Sequence, residues 1–205
     1  MDGQTLLGFA AAFFVFAASP GPDNMTIVAR TVSHGALSGV AYGLGTVGGI
    51  LVYLGLAFVG LSLMASEMGM LMTVLRYAGA AYLLWMGIRL WMAEPVVPAL
   101  QPMRERQGLL PVFLTGIALN LGNPKMPLFY LALLPNFVSD TIGLETFLAL
   151  VAVILLVETV VIGGHVWLAT RARRLLRTPA IVRRANRITG SFLTAAGLAI
   201  VATRR

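Results

Sequence analysis

Apolar residues fall along this chain in long blocks separated by short polar or charged connections. A helix needs about 20 mostly apolar residues to cross a hydrocarbon core. Six blocks meet that standard to different degrees: residues 5–29, 35–64, 69–92, 109–135, 142–170 and 187–203. The pattern predicts an all-α integral membrane protein of six transmembrane helices, in one domain covering residues 1–205. The second block is rich in glycine (Gly39, Gly43, Gly45, Gly48, Gly49, Gly55), which permits close helix approach, and packing is the plain reading of it.

Two blocks are interrupted. In the first, Pro20 and Pro22 remove two amide donors around Gly21, so the helix breaks or kinks at Ser19-Pro20-Gly21-Pro22-Asp23-Asn24. In the fourth, Asn120-Leu121-Gly122-Asn123-Pro124-Lys125-Met126-Pro127 does the same near the expected bilayer centre. Irregular backbone at that depth is tolerated only in protein or beside water, so both breaks should face inward, toward each other. They carry Asp23 and Lys125, and an intramembrane charge demands a partner or a function.

Pro20 and Pro124 each open a block of three spans, and Gly79 to Gly87 in span three is echoed by Gly190 to Gly197 in span six. Three spans per block reverse the orientation, which predicts an inverted 3+3 repeat with broken helices one and four: repeat one about 5–92, a cytoplasmic connection 93–108, and repeat two about 109–203. Glu158, near the middle of span five, reads either as a proton-carrying carboxyl or as a structural partner for Lys125. Arg76 can reach the outer surface along its stem, and His34 and His165 read as interfacial.

Composition sharpens the picture. The chain is 58% hydrophobic and 11% charged, whereas soluble domains carry about 25% charged residues. The net charge of +7 lies between apolar runs and comes with no motif that reads nucleic acid, so no nucleic-acid partner is expected. Eleven of the 15 basic residues fall in odd-numbered connections: Arg30, then Arg89, Arg104 and Arg106, then Arg171, Arg173, Arg174, Arg177, Arg183, Arg184 and Arg187. The even connections carry Glu67, Asp140 and Glu145, so both termini are expected outside the cytoplasm, with only Arg204 and Arg205 opposing. The basic stretch 171–187 matches anionic headgroups, and Trp85, Trp91 and Trp167 suit interfacial anchoring. Met1-Asp2-Gly3-Gln4 lacks the positive charge of a signal peptide, so the first block is expected to stay. With no cysteine, disulfides, Cys-ligated zinc and iron–sulfur clusters are excluded. No metal motif or Ser/His/Asp set stands at span depth, so no catalytic residue, metal ligand or cofactor is assigned and an enzyme is not expected.

Ser19 to Asn24, followed by Ser33-His34-Gly35 and the glycine-rich second span, resembles the first signature of the LysE/RhtB family of amino-acid exporters. Asn123-Pro124-Lys125 resembles the second, and the third and last spans also fit, so the resemblance covers essentially the whole chain. It implies efflux of amino acids or close derivatives from the bacterial cytoplasm, driven by the membrane gradient, in the inner membrane. It carries substrate roles to Pro20, Gly21, Pro22 and Asn24, and to Asn123, Pro124 and Lys125. Asp23 matches the form of the homoserine and threonine exporter branch, which favours a neutral substrate.

A zwitterion needs an anion site and a cation site a few ångströms apart. Half-helix amino ends with Lys125 can take the carboxylate; Asp23 with freed carbonyls can take the ammonium, and Asn120 stands beside them. Asp23 and Glu158 are the candidates for exchanging a proton during alternating access. The plain alternative is an Asp23–Lys125 salt bridge that only joins the breaks. The rival function is a metal or cation exporter, which this chain supplies with few ligands. Small-residue faces on spans two and six permit a homodimer without requiring one.

Overall fold

The structure is a computed structural model of the 205-residue chain, and it describes residues 1–64, 69–94, 108–123, 125–137, 143–171 and 179–202. The described residues are helical throughout, in eight segments: α1 (Gly3–Ala18), α2 (Pro22–His34), α3 (Ala36–Met64), α4 (Gly69–Met92), α5 (Leu109–Leu121), α6 (Lys125–Phe137), α7 (Leu144–Arg171) and α8 (Pro179–Ala202). Pro124, Glu67, Arg104, Arg106, Asp140, Arg173, Arg174, Arg177, Arg204, Arg205 and the side chain of Arg76 lie outside the described residues, as does most of the expected connection 93–108.

Local chemistry sets the helix ends. Asp2 caps α1, accepting from the Thr5 amide at 2.7 Å, and that bond holds its carboxyl below the ordinary value. α1 stops ahead of Pro20, and α2 restarts with Pro22 in its first turn, where a missing amide leaves nothing unpaired. Gly35 ends α2 at φ 91°, a conformation that disfavours any side chain, and lets α3 turn back along α2. α5 ends at Gly122, and Asn123 Oδ1 accepts from the Lys125 amide at 3.1 Å to start α6.

The broken first and fourth blocks are thus the pairs α1–α2, bent by 58°, and α5–α6. By length and composition α3 and α7 can each cross a bilayer, and α1–α2 can do so as a bent pair. One expectation is corrected. The last helix begins at Pro179, not at 187, so Arg183, Arg184 and Arg187 lie on α8 and not in a connection. Arginine is a good helix former, and its long stem lets a charge ride on a helix while reaching water. Arg187 stacks on Trp91 of α4, 4.9 Å from the ring centroid.

Glycines join the helices in two seams. Between α3 and α5, a Cβ on Gly45 would fall onto the Phe113 carbonyl and 2.9 Å from the Gly116 Cα. Between α4 and α8, a Cβ on Gly87 would stand 2.7 Å from the Gly190 carbonyl, and one on Gly197 2.8 Å from Leu84. These backbones approach as only glycine permits. The small-residue faces read as open to a dimer are therefore largely used within the chain, although Gly55 and Gly60 meet nothing within 4 Å.

Two apolar cores flank the breaks. One joins α1 to α6 through phenylalanines in tilted and edge-on contact, with Phe16 and Phe129 centroids 4.2 Å apart and Phe13 and Phe129 5.6 Å apart. The other gathers Ile27, Tyr42, Val112 and Ile162 from α2, α3, α5 and α7. The α4–α8 pair docks on α6 and α1, the half-helices of the first core. Leucine and valine stripes such as Leu44, Val52, Leu56, Leu148 and Leu156 stay exposed, as a bilayer-facing surface does.

Candidate substrate site at the helix breaks

A broken helix leaves carbonyls at one new end and amides at the other. At the end of α1, Asn24 Nδ2 donates to the carbonyls of Ala17 (2.7 Å) and Ser19 (2.9 Å), and Ser19 Oγ donates to the Phe16 carbonyl (2.6 Å). Lys125, the first residue of α6, donates from Nζ to the Phe16 carbonyl (2.9 Å) and to Ser19 Oγ. Its ammonium also lies 4.5 Å from the Phe16 ring centroid. The α6 break thus closes the end of α1.

The converse holds at the end of α5. Asp23, in the first turn of α2, accepts from Asn120 Nδ2 and Asn123 Nδ2, each at 3.0 Å, and from the Tyr42 hydroxyl at 3.2 Å. Tyr53 of α3 donates to the freed Leu121 carbonyl. Each break is therefore held by a charged residue from the other. Asp23 and Lys125 bond to different partners rather than to each other, so the simple salt bridge is replaced by two crossed sets of charge-assisted bonds.

Between the breaks lies a cavity of about 30 Å³ lined by Gly21, Asp23, Asn24, Asn120, Asn123, Lys125 and Glu158, among others. A water needs roughly 10 to 15 Å³ of such space, so there is room for two or three waters and not for an amino acid. Glu158 is 6% exposed on α7 and faces this cavity together with Asp23 and Lys125. A much larger cavity, about 910 Å³, opens between the breaks and the α4–α8 pair. Ser19 to Pro22, Asn123 and Lys125 form one wall, and Trp85, Arg89, Leu90 and Glu94 another. Lys125, Asn123 and Gly21 line both cavities.

Of the residues singled out in the sequence, Pro20, Gly21, Pro22, Asp23, Asn24, Asn120, Asn123, Lys125 and Glu158 come together here. Gly21 is fully extended (φ −165°), and a Cβ there would sit in ordinary contact 3.5 Å from the Lys125 ammonium, so neither backbone nor space demands glycine. Gly49, by contrast, leaves needed room: a Cβ there would lie 2.5 Å from Asn120 Oδ1. His34 bonds Ser33 Oγ and His165 bonds the Val161 carbonyl, both away from the cavities. Sequence reading missed Tyr42, Tyr53 and the bond that Ser19 accepts from Lys125. Only a helical projection of the glycine-rich span, with Tyr42 and Tyr53 near the glycine face, could have found the tyrosines.

The chain is 30% identical over 187 residues to a homoserine/homoserine lactone efflux protein of Salmonella typhimurium, covering 91% of this chain and 90% of that one. It is 31% identical over 140 residues to the threonine efflux protein of Escherichia coli, covering 67% and 68%. An uncharacterized membrane protein of Vibrio cholerae is 25% identical over the full length of both chains. No solved structure matches. Residues 14–204 match the LysE type translocator family, and the chain belongs to that family of bacterial membrane translocators.

Proposed function

We propose that this protein exports neutral amino acids of the homoserine and threonine type from the bacterial cytoplasm, with the substrate held between the two helix breaks. The observation that carries the reading is the unfinished bonding of the crossed charges. An ammonium has three donors and Lys125 uses two; a carboxylate has about four acceptor positions and Asp23 uses three. One donor and one acceptor remain, at one cavity, which is what a zwitterion requires. The efflux proteins that resemble this chain are named for homoserine and threonine, in keeping with a neutral substrate.

The route follows from the cavities. The substrate enters the wide cavity and meets Lys125 where the two cavities share it, and only its ammonium reaches into the small one in place of water. Arg89 lines the wide cavity near the C-terminal end of α4, and Arg187 of α8 stacks on Trp91 two residues further along that helix. By the positive-inside rule that end of the cavity faces the cytoplasm and both termini face out of it. The six blocks cross the inner membrane as an inverted 3+3 repeat in a single domain over residues 1–205, and the crossed bonding of Asp23 and Lys125 supports that symmetry. Alternating access carries the substrate outward, and Asp23 or Glu158 exchanges a proton for it. Removing the proton carrier, by Asp23→Asn or by Glu158→Gln, should weaken the dependence of export on the proton gradient; full dependence in both variants sinks the proton step.

The reading is tested by efflux from whole cells preloaded with single amino acids and expressing the native chain or Lys125→Ala. Selective efflux of threonine or homoserine, lost in the variant, supports it. Metal resistance without any amino-acid efflux contradicts it and favours a cation exporter.

A further inference from the structure

Continuous with the wide cavity along Pro20, Gly21, Pro22 and Leu90 lies a side lobe of about 320 Å³. Its lining is apolar apart from Glu94 and Asn186. Glu94 is exposed and keeps its hydration. Asn186, on α8, is 4% exposed, and its Oδ1 has no hydrogen-bond partner among the described residues. Buried polar atoms are almost always paired, so an amide that lines a cavity and has an unpaired end holds bonding capacity a ligand can fill.

We propose that this lobe is the side-chain subsite of the translocator and that Asn186 selects amino acids bearing a side-chain hydroxyl. The proposal rests on export through the Asp23–Lys125 site and names the side chains that site accepts. An amino acid with its carboxylate at Lys125 lies against the same Pro20 to Pro22 wall that leads into the lobe. Its side chain then runs past Leu90 toward Asn186. A hydroxyl both donates and accepts, so it satisfies the amide whichever end faces it. A methyl group of the same size fills the apolar walls equally well but leaves the amide unpaired, and sites built this way reject the analogue that lacks the polar group. A lipid chain entering the lobe would leave Asn186 unpaired in the same manner.

Threonine and valine, which differ by hydroxyl against methyl, provide the test. Export from proteoliposomes is measured for both with the native chain, Asn186→Leu and Asn186→Gln, and the rise in melting temperature of each purified protein with either amino acid gives a second comparison. The native chain should prefer threonine by about tenfold. Asn186→Leu should remove that preference by lowering threonine export while leaving valine export unchanged, and Asn186→Gln, which keeps the amide, should restore part of it. Equal loss of both substrates in Asn186→Leu, or an unchanged ratio, overturns the proposal while leaving amino-acid export standing. Neither export nor stabilisation of the native chain by any amino acid overturns the export reading itself, and the subsite with it.

Discussion

The two halves of the broken helices are packed very differently. The α1 and α6 halves are sealed: five phenylalanines interlock there, and the α4–α8 pair lies against them. The α2 and α5 halves are clamped by α3, but the breaks where they meet α1 and α6, Ser19 to Pro22 and Asn123 with Lys125, border a cavity of about 910 Å³. Under an inverted repeat, α4 on α6 should be matched by α8 on α2, and that second contact is where the cavity stands. The difference teaches that one side of the site is shut by packed side chains and the other is open.

Several changes break or sharpen that contrast. The largest effect is expected where both sides depend on one side chain. Lys125→Ala removes the bond that ties α6 to the end of α1 and the cation facing both cavities, and should lower export about 100-fold, a size typical of losing charge-assisted bonds. Asp23→Asn keeps the shape but weakens the bonds from Asn120 and Asn123, and should lower export about tenfold, measured at equal protein level. If an Asp23→Lys, Lys125→Asp exchange restored both folding and export, crossed bonding would be wrong and a plain ion pair right.

Smaller effects separate the clamped side from the open one. Gly45→Leu forces α3 from α5 and should destabilise the purified protein by about 1 to 3 kcal/mol in thermal melts, whereas Gly55→Ala, which meets nothing within 4 Å, should leave the melt unchanged. Because the chain has no cysteine, single thiols report access cleanly. Leu90→Cys should react with a membrane-impermeant thiol reagent from the cytoplasmic face, and Phe13→Cys should be protected. The reverse order of labelling would place the open side wrongly.

Much of this was legible in the sequence, and the reasons are local. The breaks were readable because proline removes amides wherever it stands, and their inward facing followed from the absence of water in lipid. That Asp23 reaches α5 while Lys125 reaches α1 was not readable, since residue types do not say which polar atoms meet across about 100 positions of chain. Asn186 was hidden for a different reason. Arg183, Arg184 and Arg187 lower the local hydropathy, so a helix that begins at Pro179 looked like a connection. Tyr42 was masked by its glycine neighbours, which drew the reading toward packing alone.

The most direct test of the central claim is counterflow in proteoliposomes, in which unlabelled threonine or homoserine inside drives uptake of the labelled amino acid through the native protein and through Lys125→Ala side by side. The account predicts exchange by the native protein and almost none by the variant; undiminished exchange by Lys125→Ala would contradict it.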